Sequence, residues 1–123
     1  MRELQRTFKA LSDETRLSIM ALVLRHGHLC PCEVERILGV TQSKASRHLR
    51  YLRDAGLLED RRDGLIVNYH LPARPELDAG AVLDFLEGLL QGKQVGSDAA
   101  PLLVQIRTAR SMGEAASSVG GPT

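Results

Sequence analysis

The chain has 123 residues, a formal net charge of +1 at pH 7, 43% hydrophobic residues and only 3% aromatic residues, with no tryptophan. This length fits one domain with a modest core, and so few aromatic side chains argue against a protein that stacks the bases of single-stranded nucleic acid. No apolar run is long enough to span a membrane and no signal-peptide pattern follows Met1, so we expect a cytoplasmic protein with reduced thiols and no membrane contact.

Two amphipathic helices are predicted at the N-terminus. Leu4, Phe8 and Leu11 recur at the i, i+4 and i+7 positions of one helical face. Ser12 is a favourable N-cap for a second helix, predicted over residues 13–25. The second helix ends at a glycine, and its expected core face carries Leu17, Met20, Ala21 and Leu24.

A helix-turn-helix follows this pair. Pro31 suits the first turn of a third helix, where its missing N–H is not needed, and Gly39 ends that helix. Thr41 is expected to cap a fourth helix over residues 42–55. Two helices joined by a short turn that contains glycine are typical of DNA-binding units.

A β-hairpin is predicted directly after the fourth helix. Residues 57–61 and 65–71 alternate or are β-branched, and Arg62-Asp63-Gly64 between them favours a tight turn. The predicted fold is therefore mainly α with a small β-hairpin, a winged helix-turn-helix.

A fifth helix, predicted over residues 78–91, is apolar on more than one stripe. One stripe would face the core and the other a second subunit, so we expect a homodimer. Residues 1–92 are assigned to the DNA-binding and dimerisation domain and residues 93–123 to a C-terminal extension. Within the extension we predict a helix over residues 101–112, followed by a disordered tail that begins at Ser117.

The fourth helix carries cations and no acid from Thr41 to Arg53. Small polar and cationic residues suit a helix that enters the major groove of double-stranded DNA. A solvated cationic face or a protein-binding module remains the alternative. The expected DNA-binding residues are Gln42, Ser43, Lys44, Ser46, Arg47, His48 and Arg50 of this helix, with Arg61 and Arg62 of the hairpin.

The two cysteines, Cys30 and Cys32, are separated by one residue at the start of the third helix. Thiolates bind soft ions, and the helix dipole, aided by Arg36, is expected to acidify thiols at this position. Residues i and i+2 of a helix point apart, so both sulfurs meet one ion only if Cys30 is an extended cap residue. The alternative is two small buried hydrophobes; a disulfide would close a strained ring.

The chain resembles the ArsR/SmtB family of metalloregulatory repressors over residues 4–90. The resemblance rests on LSDETRL (residues 11–17), GVTQS (39–43), SRHL (46–49) and LRDAGLL (52–58). LCPCEV (29–34) resembles the arsenic-sensing branch, which carries Cys-X-Cys at the start of the third helix.

This resemblance implies a homodimeric repressor that leaves operator DNA when trivalent arsenic or antimony binds Cys30 and Cys32. It also implies a dimer interface between the first and fifth helices. We expect that interface to include Leu4, Phe8, Leu83, Leu86 and Leu90. Some sensors of this branch have a third cysteine where this chain has Glu35, so a ligand from outside the chain would complete the site.

Several alternatives stay open from the sequence. His26 and His28 extend the pattern toward a mixed His/Cys zinc site, although His28 is more simply expected in an exposed turn. A thiol redox sensor, another soft-metal sensor and a DNA-binding protein without a ligand share the predicted fold. No enzyme and no organic cofactor are expected, because Cys-X-X-Cys in a βαβ setting, a nucleotide-binding loop and a hydrolytic triad are all missing.

Overall fold

The structure is a computed structural model that describes residues 1–91, 93 and 98–118. Within these residues the chain forms helices and short strands in the following order: α1 (Arg2–Leu11), α2 (Glu14–His26), β1 (His28–Leu29), α3 (Pro31–Leu38), α4 (Gln42–Asp54), β2 (Glu59–Asp63), β3 (Ile66–His70), α5 (Leu77–Leu90) and α6 (Ala100–Ser118). No helix among the described residues has the length and apolarity needed to cross a lipid bilayer.

The sheet confirms the predicted hairpin but is larger than predicted. It has three antiparallel strands in the order β1-β3-β2, and His28 of β1 pairs with His70 of β3. The predicted turn was wrong, because Asp63 pairs with Ile66 and leaves a two-residue turn that begins at Gly64. Gly64 has φ 66°, a left-handed conformation that a glycine adopts without strain and that two-residue hairpin turns require.

Two helices begin at a residue whose side chain caps them, and a third ends at a glycine. Asp13, and not Ser12 as predicted, caps α2, and its carboxylate accepts a hydrogen bond from the Arg16 backbone N–H at 3.0 Å. Thr41 caps α4 as predicted and accepts from the Lys44 N–H at 3.2 Å. Gly39 ends α3 in the left-handed conformation, which starts the turn into α4.

Helix α2 lies at the centre of the core and contacts α1, α4, α5 and β1. The prediction for its core face was wrong for Leu17, which is 41% exposed. Ile19, Leu22 and Val23, which widen that face, are buried to about the same extent as Met20, because α2 is covered on several sides. The large apolar side chains that are fully buried, on α2 and around it, are Ile19, Met20, Val23, Leu29, Val34, Leu49, Leu52, Leu57 and Leu58.

The C-terminal helix α6 packs against α3. It contains the predicted helix over residues 101–112 and extends beyond it to Ser118, so the predicted tail begins too early at Ser117. The rest of that predicted tail, residues 119–123, lies outside the described residues. Leu103 and Ile106 of α6 are buried, so this part of the extension shares an apolar contact with the domain.

Candidate thiol site and nucleic-acid interface

The two thiols meet at the first turn of α3. Cys30 is its N-cap residue, with extended backbone angles (φ −103°, ψ 163°), and Cys32 lies within the first turn. The two Sγ atoms are 2.8 Å apart and both cysteines are free. The prediction that an extended Cys30 turns toward Cys32 is confirmed, because the cap geometry removes the divergence that two helical residues would have.

A buried carboxylate fixes this first turn. Glu33 is fully buried, and its Oε1 accepts a hydrogen bond from the Cys30 backbone N–H at 3.0 Å. In return, the Cys30 side chain accepts from the backbone N–H of Glu33. The two contacts form a capping box, in which Cys30 takes the place of the usual serine or threonine. Glu33 was not among the predicted site residues, although a Glu three residues after a cap residue is the signal for such a box.

Two arginines of α6 neutralise and cover the carboxylate. Arg107 Nε donates to Glu33 Oε2 at 2.7 Å, and Arg110 Nη2 donates to the same oxygen at 3.1 Å. Burial alone would raise the pKa of the Glu33 carboxyl, but the hydrogen bonds from Arg107 and the Cys30 N–H, with the charges of both arginines, lower it overall. The carboxylate is therefore ionised at neutral pH.

Arg110 also contacts the sulfurs. Its Nη1 lies 3.3 Å from Cys30 Sγ and 3.6 Å from Cys32 Sγ. The expected cation was Arg36, which is exposed on α3. The C-terminal extension supplies this arginine from about 80 residues further along the chain, and no local pattern in the sequence marks that contact.

The predicted acidification is wrong for Cys30. Burial, together with the hydrogen bond to Cys32, raises the pKa of the Cys30 thiol to about 12. The loss of hydration outweighs the helix dipole at this position, because Cys30 has no exposed surface. Cys30 is a protonated thiol at neutral pH, and any ligand must exchange with that proton.

The histidine alternative is not supported by the geometry. His28 is half-buried in β1 and not in an exposed turn as predicted, and burial lowers its pKa. Glu35, at the position of the missing third sulfur, is half-buried. Within the described residues, no group of three or more His, Cys, Asp or Glu side chains has the geometry of a metal site.

The predicted DNA-binding residues lie in two groups, one on α4 and one on β2, with the exception of one residue. An open cleft along the first two turns of α4 is lined by Gln42, Ser43, Ser46, Arg47 and Arg50, and Lys44 is exposed beside it. Arg61 and Arg62 are exposed on β2, in the strand and not in the turn. His48 is the exception, because its Nδ1 lies 3.3 Å from Arg16 Nη1, on the side of α2.

The predicted dimer residues divide between surface and core. Phe8 is 55% exposed, and Leu4 and Leu90 are half-buried. Leu83 and Leu86 lie in the core of this chain. On the same helix, Phe85 is 66% and Leu89 is 50% exposed, so the apolar surface of α5 is formed by residues next to those predicted. The interface itself stays a prediction.

Known proteins resemble this chain in sequence. Residues 13–60 match the family model described as bacterial regulatory protein, arsR family. The chain is 44% identical over 85 residues to the arsenic resistance transcriptional regulator ArsR1 of Pseudomonas putida, an alignment that covers 69% of this chain and 61% of that protein. It is 41% identical over 71 residues to an arsenical resistance operon repressor of Bacillus subtilis, covering 58% of this chain and 68% of the repressor.

Two further similarities bear on specificity and assembly. The cadmium resistance transcriptional regulatory protein CadC homologue of Staphylococcus aureus is 39% identical over 69 residues, covering 56% of this chain and 57% of that protein. The solution structure of a homodimeric winged helix-turn-helix domain from Mycobacterium bovis is similar, with a TM-score of 0.57 and 28% identity, covering 80% of this chain and 81% of that domain. The relatives from Pseudomonas, Bacillus and Staphylococcus are named as transcriptional regulators or repressors, in agreement with the expectation that the chain is not an enzyme.

Proposed function

Since the chain belongs to the arsR family of bacterial regulatory proteins, we propose that it is a cytoplasmic, homodimeric repressor of transcription. It binds operator DNA and is released when trivalent arsenic or antimony binds Cys30 and Cys32. The observation that carries this proposal is the pair of free sulfurs, 2.8 Å apart, at the start of the helix that packs on α4.

The protonated state of Cys30 favours a metalloid over a divalent metal. When arsenous acid, As(OH)3, reacts with two thiols, each S–H proton leaves with one hydroxide as water. Two As–S bonds replace two As–O bonds, and no proton is released to the solvent. A divalent cation must instead drive two protons off the thiols, which is costly at Cys30 because burial raises its pKa. One hydroxide or an external thiol then occupies the third position on arsenic.

The route from the thiols to DNA runs through α3. A soft ion bonded to two sulfurs, each about 2.3 Å away as in zinc thiolates, holds them farther apart than 2.8 Å. This separation pulls on Cys30, whose N–H is bound to the buried Glu33. Because α3 packs against α4, a distorted first turn displaces the α4 cleft that carries Arg47 and Arg50.

The α4 cleft is the proposed major-groove surface. Arginine grips phosphates or the edge of guanine, and serine approaches the backbone closely. The hairpin arginines, Arg61 and Arg62, are proposed to contact the adjacent DNA backbone. The dimer places two such units on one duplex, which agrees with the symmetry of operators bound by helix-turn-helix dimers.

A second candidate function is the sensing of another soft metal, which the similarity to the cadmium resistance protein favours. Cadmium prefers sulfur ligands, and two cysteines are available here. A redox sensor is less favoured, because two cysteines separated by one residue form a poor disulfide.

The test is fluorescence anisotropy on a duplex selected from a random pool. Arsenite, antimonite, cadmium, zinc and peroxide are titrated into the complex of DNA with the full chain, and with a Cys30→Ser/Cys32→Ser variant. We expect arsenite and antimonite to release the natural chain and to leave the serine variant bound. Release by zinc or peroxide alone would overturn the proposal, and release by cadmium alone would favour the second candidate.

A further inference from the structure

We propose that the Arg110 guanidinium occupies the position of an ion that bridges Cys30 and Cys32, so that ion binding expels Arg110 and loosens α6 from α3. This inference rests on the proposed function, because it takes the two cysteines as the ligands. It assigns to the C-terminal extension a part in sensing.

Arg110 and a bound ion would compete for the same surface of the two sulfurs. Arg110 Nη1 lies 3.3 Å and 3.6 Å from the two Sγ atoms, so one nitrogen bridges both sulfurs. Cys30 has no exposed surface, so an ion must displace what covers its sulfur before it bonds there. An ion at bonding distance from both sulfurs leaves no room for a nitrogen at the same place.

The balance of charge around Glu33 makes Arg110 easier to displace than Arg107. Arg107 and Arg110 both pair with its carboxylate, so two cations share one buried anion. Arg107 makes the shorter contact and also donates to the His28 carbonyl at 2.9 Å. Arg110 donates Nη2 to Glu33, but its Nη1 faces the sulfurs and not an anion. Arg110 is therefore the arginine that an incoming ion displaces.

Arg110 also holds part of α6 in place. Among the α6 residues whose side chains the structure describes, 100–112, those fastened to the domain are Leu103, Ile106, Arg107 and Arg110, in chain order. Arg110 is the last of these, so its departure releases the C-terminal part of the helix first.

The experiment is hydrogen–deuterium exchange, read by mass spectrometry, on the full chain with and without arsenite. We expect arsenite to increase exchange in peptides of α6, most strongly from Arg110 onward. In Arg110→Leu we expect fast exchange in α6 before arsenite is added. We also expect arsenite to bind about tenfold more tightly, because no charged hydrogen bond is displaced.

Two further variants keep the test decisive. Arg110→Lys retains the charge opposite Glu33 but gives up the forked contact, and we expect an intermediate affinity for arsenite. Arg74→Leu removes an exposed arginine outside the site and should match the natural chain. If arsenite binds and releases DNA while α6 exchange stays unchanged, this inference is overturned and the proposed function stands. If arsenite does not bind, both fall.

Discussion

The buried carboxylate of Glu33 lies 2.7 Å from the guanidinium of Arg107, and the two residues are 74 positions apart in the chain. Glu33 also holds the N–H of Cys30, so the same side chain ties the C-terminal helix to the start of α3. The thiol pair thus belongs to the local turn of α3, and a distant helix supplies the arginines around it.

Replacement of this carboxylate is expected to be the most destabilising of the polar substitutions. Glu33→Gln leaves the two arginines beside a neutral, buried side chain and should lower the free energy of unfolding by about 3 kcal/mol. Urea unfolding measures the change. The control is Glu59→Gln on the exposed face of β2, with an expected change within about 0.5 kcal/mol. Equal effects of the two variants would contradict a structural role for the buried pair.

Acid is expected to weaken the cap of α2. Asp13 accepts the Arg16 N–H, and this hydrogen bond lowers the pKa of its carboxyl from 3.8. A lowered folded-state pKa means that the contribution is present above pH 3.8 and is lost as the pH falls through the folded value. At pH 7, Asp13→Ala should cost about 1 kcal/mol.

The measurement for Asp13 is urea unfolding of both chains from pH 7 to pH 3. The difference between the natural chain and the alanine variant should shrink as the pH falls below 3.8. Asp13→Asn, which keeps an oxygen acceptor without the charge, is the matched control and should lie between the two. A difference that stays constant down to pH 3 would show that the carboxylate charge is irrelevant.

The α4 cleft is expected to supply phosphate contacts. Arg47→Ala or Arg50→Ala should weaken duplex binding and reduce the slope of log affinity against log salt by about 1 for each lost phosphate contact. Anisotropy at several salt concentrations provides the slope. Arg74→Ala, outside both proposed DNA surfaces, serves as the control. An unchanged slope in both cleft variants would place the DNA elsewhere.

The exposed apolar residues of α5 are expected to pair two subunits. Phe85→Glu and Leu89→Glu should produce a folded monomer in analytical ultracentrifugation, because both side chains are exposed in one chain. Leu83→Ala should instead lower the free energy of unfolding by about 3 kcal/mol, since Leu83 is in the core. Leu65→Glu, on the hairpin turn, is the surface control. Dimers that survive both α5 substitutions would refute this interface.

The sequence predicted the elements that local signals specify. Thr41, Gly39 and Pro31 determine where helices begin and end through their own backbone chemistry, and the fold that follows from them is confirmed. The extended conformation of Cys30 could also be predicted from the sequence, because only that geometry lets two neighbouring thiols meet.

Features that depend on distant contacts escaped prediction. Strand β1 has two residues, too few for an alternating pattern, and forms because β3 offers it an edge. The raised pKa of Cys30 depends on burial, which α6 completes. Arg110 reaches the sulfurs from that helix, whose sequence gives no sign of the contact. The core face of α5 was not distinguished from its exposed face, because apolar residues occur all around the helix.

X-ray absorption at the arsenic edge, on the full chain with one equivalent of arsenite and no added thiol, tests the central claim most directly. We predict two sulfur neighbours and one oxygen neighbour around each arsenic atom, and loss of the sulfur neighbours in Cys30→Ser/Cys32→Ser. Arsenic surrounded by oxygen alone in the natural chain, or the same spectrum from both proteins, would contradict the claim that Cys30 and Cys32 form the sensing site.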